Sequence, residues 1–178
     1  QMDLLHKRFI VFELDNISEN RTLLPVVTII IMETFLAKMR RLQGVRKVLL
    51  LEEAWKAIAK EGMASYVKYL YKTVRKYFGE AIVVTQEVED IISSPIVKES
   101  IINNADCKIL LDQRKYRNKF DQIQTLLGLT DKERAQVLSI NLSNDPARRY
   151  KEVFISLGGV QSAVYATEVS DEEYLVRP

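Results

Sequence analysis

This sequence offers little for covalent or metal chemistry. Its 178 residues include one cysteine, Cys107, and one histidine, His6. A single thiol excludes a disulfide framework and points to a reducing compartment. A His/Cys metal site, a Cys–His pair or a Ser–His–Asp triad would have to use those lone residues, which argues against all three. Neither sign of charge dominates, since 26 basic and 24 acidic side chains leave a net +2. That balance by itself predicts neither a nucleic-acid binder nor a membrane-surface protein. The basic stretches RKYRNK (114–119) and ARR (147–149) have polar and acidic neighbours and read as solvated surface. The longest apolar run, LLPVVTIIIM (23–32), contains Pro25. It is shorter than the roughly 20 residues that a bilayer span needs. The opening QMDLLHKR has no apolar signal-peptide core. Glycine is scarce: six residues, at 44, 62, 79, 128, 158 and 159, none of them followed by lysine.

What remains is an ordinary globular mixture, 47% apolar and 28% charged. There is no internal repeat, low-complexity segment or Gly/Ser linker, so residues 1–178 are read as one α/β domain. The chain opens at Gln1 and stops at Pro178 without obvious natural ends, and it is expected to be a piece of something longer.

Short apolar runs alternate with amphipathic stretches. RFIVFEL (8–14) is β-branched and aromatic, and predicts a strand before the turn-like DNIS (15–18). From about Asn20 to Gln43 the spacing of Leu24, Val27, Ile31, Phe35 and Met39 predicts a helix closed by Gly44. VVTIII within it competes as a strand, because β-branched side chains disfavour helix. VRKVLLLEE (45–53), AIVVTQ (81–86) and DCKILLDQ (106–113) predict strands buried on both faces, as in a parallel sheet. Between the first two, Met63, Tyr66, Val67, Leu70, Tyr71, Val74 and Phe78 fall at helical spacing, closed by Gly79. Helices are also expected at 95–104, 117–127 and 131–138. The last is opened by Thr130 with Glu133 three residues on, a capping box. VFISLGGVQSAVYAT (153–167) predicts a hairpin around Gly158 and Gly159.

Such alternation implies an α/β sheet, and in such sheets chemistry gathers at the carboxyl ends of the strands. Glu52–Glu53, Thr85–Gln86 and Asp112–Gln113 all end predicted strands and are expected to converge on one edge. Two carboxylates closing an apolar strand, as in VLLLEEAW, suit nucleotide hydrolysis. The first can hold Mg²⁺ and the second can polarise the attacking water. The alternative is a strand ending in a solvated acidic turn. Gln86 can sense a γ-phosphate or orient water, or simply be a polar strand end. Arg75, within VRKYFG, can reach across a subunit boundary as an arginine finger, or belong to a solvated basic face. Asp112 and Gln113 can simply finish a strand, and Trp55 is read as a packing residue.

LLLEEAWK, VRKYFG–AIVVTQ, NNADCKILLDQ and FISLGGVQSAVYATEVSDEEY together resemble the C-terminal half of the ATPase domain of conjugation ATPases. More closely, nearly the whole chain is similar to TraG-type ATPases of conjugative transposons. The resemblance implies a RecA-like P-loop NTPase fold with flanking helices and a C-terminal β-hairpin. It also implies a hexameric motor of a type IV secretion system at the cytoplasmic face of the inner membrane, with ATP and Mg²⁺ as cofactors. Residue by residue, Glu52 matches the Mg²⁺-side acid, Glu53 the catalytic glutamate, Gln86 the γ-phosphate-sensing glutamine and Arg75 the arginine of the basic motif. Gly158, Gly159 and Ser162 match a turn near the nucleotide base, although a plain hairpin explains the glycines equally well. The family usually carries Asp where this chain has Glu52. The extra methylene moves the carboxylate outward by about 1.5 Å, which weighs against tight Mg²⁺ binding in near-ideal octahedral geometry.

A P-loop needs GxxxxGK(S/T), whose amides and lysine cradle the phosphates. No such motif occurs in this sequence. The resemblance implies that it lies upstream of Gln1, so the P-loop strand is expected to be absent here. The isolated chain is then expected to bind nucleotide weakly and to be inactive, with an exposed sheet edge that favours self-association. The leading expectation is thus a part of an ATP-hydrolysing motor that powers channel assembly or substrate transfer. The alternatives are a DNA-translocating coupling ATPase and a catalytically inert α/β interaction module. The absence of a basic strip or stacking aromatics argues mildly against tracking along DNA.

Overall fold

The computed structural model describes residues 4–52, 61–86, 101–143 and 150–176. They fall into two compact units, one within Gln1–Asn104 and the other within Ala105–Pro178.

In the first unit, α1 (Leu23–Arg41) settles the competition over VVTIII in favour of helix. Asn20 starts it, its side-chain oxygen accepting from the Thr22 and Leu23 amides at 3.1 and 2.9 Å. Pro25 falls in the first turn, where its missing N–H costs nothing. The helix buries Thr28, Ile31, Met32, Phe35, Leu36 and Met39 on one face. That burial outweighs the poor helix propensity of the β-branched run. Strand β1 (Lys47–Glu52) pairs in parallel with β2 (Gly79–Val84), in register from Lys47↔Gly79 to Glu52↔Val84. Between them run α2 (Glu61–Thr73) and a 3₁₀ turn (Val74–Tyr77).

Leu51, Leu49, Ala81 and Val83 face a core of Met32, Phe35, Leu36, Met39, Val67, Leu70, Val74 and Ile101. The other face of the sheet is not buried as expected: Val48, Leu50, Ile82 and Val84 are exposed. A strand alternates faces every residue, so cover on one side buries only half of it. Phe78 departs from the predicted stripe for a local reason. The helix tightens into the 3₁₀ turn, Phe78 turns left-handed, and its ring points outward. RFIVFEL is not a strand. It joins neither sheet among the described residues, and Phe9 and Val11 are exposed. A strand pattern without a partner ladder leaves the backbone irregular. The helix predicted at 95–104 lies largely outside the described residues, as does Trp55.

In the second unit β3 (Cys107–Leu110) pairs antiparallel with β4 (Tyr150–Leu157), which pairs antiparallel with β5 (Gln161–Glu168). This corrects the expectation that β3 is a third strand of the parallel sheet, buried on both faces. Its neighbour is a hairpin strand, and Ile109 is exposed. A 3₁₀ turn (Arg114–Lys119) leads into α3 (Phe120–Leu127), followed by α4 (Asp131–Ser139), which packs on β4 and β5. A short α5 (Asp171–Val176) follows β5. Phe120, Ile123, Val137, Ile140 and Phe154 are buried here. The capping box forms as expected, with the Glu133 amide donating to the Thr130 hydroxyl at 3.2 Å and the Thr130 amide to the Glu133 carboxylate at 2.8 Å. Among the described residues no helix is long and apolar enough to cross a membrane.

Candidate functional site

Parallel pairing brings two of the candidate residues to one edge. Glu52 is the last residue of β1 and pairs with Val84, the last of β2; Thr85 and Gln86 follow at once. Both Glu52 and Gln86 are exposed at this carboxyl end. Alternation along β1 places Glu52 on the uncovered face with Val48 and Leu50. Glu53 lies outside the described residues. Asp112 and Gln113 follow β3 and so close a strand of the other sheet. They do not extend the edge formed by β1 and β2. Asp112 is held instead by Arg114, which donates from Nε at 2.8 Å and lowers the carboxyl pKa below its usual range.

Arg75 sits at the opposite end of the parallel pair. It belongs to the turn that feeds the amino end of β2, beside Lys47 at the amino end of β1. Glu52 is five residues along β1, about 16 Å away at the usual strand rise. An extended arginine side chain spans only about 7 Å on standard bond lengths. Arg75 therefore does not serve the carboxyl edge of its own copy.

The turn that carries Arg75 is unusually well held. The Lys47 ammonium is buried and donates to the Tyr77 carbonyl at 2.8 Å and to the Met39 carbonyl at 3.4 Å. Its main-chain amide donates to the Phe78 carbonyl at 3.2 Å. The Phe78 amide in turn donates to the Arg75 carbonyl at 3.1 Å. Phe78 has φ 56° and ψ 45°, a left-handed conformation that is costly for a bulky side chain. Gly79 follows where a Cβ would come within 2.9 Å of Val74 Cγ2 and 3.1 Å of Met39 Sδ, so any larger residue would force those side chains to shift. Sequence reasoning missed Lys47; a lysine opening an otherwise apolar strand was the available signal.

In the second unit Gly158 and Gly159 have φ 57° and 68°, with the Val160 amide donating to the Leu157 carbonyl at 3.0 Å. That is a mirror-image turn that matches hairpin twist. Added Cβ atoms would meet nothing within 4 Å, so backbone conformation selects glycine here, not close approach. Ser162 lies opposite Ser156, whose hydroxyl donates to the Glu133 carboxylate at 3.4 Å. The Thr130 amide first, then the hydroxyls of Thr130, Ser162 and Ser156, hold the Glu133 carboxyl below its ordinary pKa against the opposing effect of burial. All three residues thus have structural work in the hairpin.

Among the described residues no group of three or more His, Cys, Asp or Glu side chains could hold a metal ion. One exposed carboxylate at a strand end suits Mg²⁺ arriving with a nucleotide, because Mg²⁺ is commonly held by one or two carboxylates plus substrate phosphates and water.

The family model described as the TraG P-loop domain matches residues 1–177. Among solved structures, VirB4 of Thermoanaerobacter pseudethanolicus is similar, with a TM-score of 0.63 and 25% identity over 93% of this chain. The chain spans 43% of the length of that VirB4 chain. No curated protein matches the sequence.

Proposed function

The chain belongs to the TraG P-loop domain family, and from that premise we propose that it is part of an ATP-hydrolysing motor of a conjugative type IV secretion system. The observation that carries this reading is the parallel β1–β2 pair, which delivers Glu52 and Gln86 to one carboxyl edge. There Glu52 is the residue that would hold Mg²⁺. Glu53 orients and deprotonates the attacking water, and Gln86 senses the γ-phosphate. Mg²⁺, when bound, would supply the positive charge that phosphoryl transfer calls for. Arg75, at the far end of the strands, serves the nucleotide of a neighbouring copy in a ring, which the family resemblance implies is a hexamer. The phosphate grip is supplied by a P-loop outside these residues, so turnover belongs to the full-length protein at the inner face of the membrane.

Glu53→Gln in the full-length protein tests the reading. It is expected to lower hydrolysis by about 10²- to 10⁴-fold, the range of a lost general base, while ATP binding persists. Unchanged hydrolysis would leave the chain an interaction module.

A further inference from the structure

We propose that Lys47 is a positioning residue: it locks the Val74–Phe78 turn so that Arg75 is presented in one geometry. This rests on the role of Arg75 proposed above. Lys47 holds two successive carbonyls, Tyr77 with its ammonium and Phe78 with its main-chain amide. Those carbonyls flank the one residue of the turn in a left-handed conformation. A phenylalanine adopts that backbone only when its surroundings over-determine it. Here the surroundings are Lys47 on one side and the crowded Gly79 on the other. The ammonium also reaches the Met39 carbonyl in the last turn of α1, where helix carbonyls lack partners and favour a cation. Lys47 thus ties the end of α1, the start of β1 and the arginine turn to one point. The Phe78 amide closes the link to Arg75 through the Arg75 carbonyl. An arginine that acts on another copy gains nothing from local flexibility, because its guanidinium must arrive already oriented.

The experiment uses the full-length protein and four variants: Lys47→Met, Lys47→Arg, Phe78→Gly and Arg75→Ala. It reads kcat, KM, ATP affinity and hydrogen exchange of the 74–80 peptide. Lys47→Met is expected to lower kcat by about 10- to 100-fold, the cost of a small misplacement, with ATP affinity unchanged and faster exchange in that peptide. Lys47→Arg, which keeps a buried donor, is expected to recover most of the loss. Phe78→Gly is expected to keep the parent kcat, since glycine takes positive φ without strain. In the Arg75→Ala background Lys47→Met should cause no further loss, because the two act as one unit. Parent-like exchange in Lys47→Met overturns the lock itself. Faster exchange with parent-like kcat overturns the link to chemistry, as does a loss that adds fully to that of Arg75→Ala. Normal turnover in Arg75→Ala with faster exchange in Lys47→Met keeps the lock but overturns the arginine role on which the proposal depends.

Discussion

The two units solve the same problem, covering a sheet, in opposite ways. The antiparallel sheet of the second unit closes on local partners. A tight hairpin joins β4 and β5, α4 packs against them, and several of the unit's inward polar groups are paired, although the buried side-chain oxygens of Gln113 and Gln136 have no partner among the described residues. Glu133 accepts from Thr130 and Ser156, while the Asn141 amide donates to Glu152 and the Glu152 amide to the Asn141 side chain, at 2.7 and 2.9 Å. The parallel pair of the first unit is covered on one face and presents Val48, Leu50, Ile82 and Val84 on the other. Parallel sheets are normally covered on both faces. Of the described candidates, Glu52 and Gln86 lie at one end of the sheet that is left open and Arg75 at the other, while Gly158, Gly159 and Ser162 belong to the hairpin of the closed unit.

The widest test of that contrast uses two neighbours on β1. Leu51 is buried and Leu50 is exposed. Leu51→Ala should destabilise the chain by about 2–5 kcal/mol, as core truncations do. Leu50→Gln should change stability by no more than about 0.5 kcal/mol. Denaturant titration of the 178-residue chain measures both, and equal losses would mean that the face is covered after all.

A smaller effect is expected at Glu133. Its native pKa is depressed, so its contribution is fully present above the unfolded value of about 4.3 and is lost as pH falls through the native value. Glu133→Gln should therefore cost about 1 kcal/mol near neutral pH, where charge-assisted hydrogen bonds are lost. The gap between parent and variant should shrink below about pH 4, and thermal unfolding across pH 3–8 follows it. A pH-independent gap would show that packing, not charge, sets the role of Glu133.

The smallest effect is expected in the hairpin. Gly159→Ala should cost about 1 kcal/mol from left-handed strain alone, and Gly159→Asn less, because asparagine tolerates that region. Equal penalties by thermal melting would point to a steric demand that the turn does not show.

Much of this fold was legible from local chemistry. The capping box at Thr130–Glu133, the Gly158–Gly159 turn and the helix from Leu23 depend on neighbours in sequence, and each formed as expected. The failures share one cause. RFIVFEL has the right pattern for a strand and joins no ladder among the described residues, and DCKILLDQ makes a strand that pairs with a hairpin. Periodicity reports that a segment can be a strand; it cannot report which edge will accept it. Candidate residues divide in the same way. Glu52 and Gln86 were visible as polar ends of apolar runs, and parallel pairing brought them together.

The sequence by itself determined the capping box, the hairpin turn, the polar strand ends and the lack of a GxxxxGK(S/T) motif within these 178 residues, because capping, turn chemistry and motif spacing act within a few residues. Tertiary structure alone decided that β3 joins an antiparallel sheet and that one face of β1 and β2 is open. It alone set Arg75 at the end of the strands opposite Glu52 and drew Lys47, which precedes Tyr77 by thirty residues, onto that residue's carbonyl. These are long-range pairings, and they depend on which surfaces meet once the chain has collapsed.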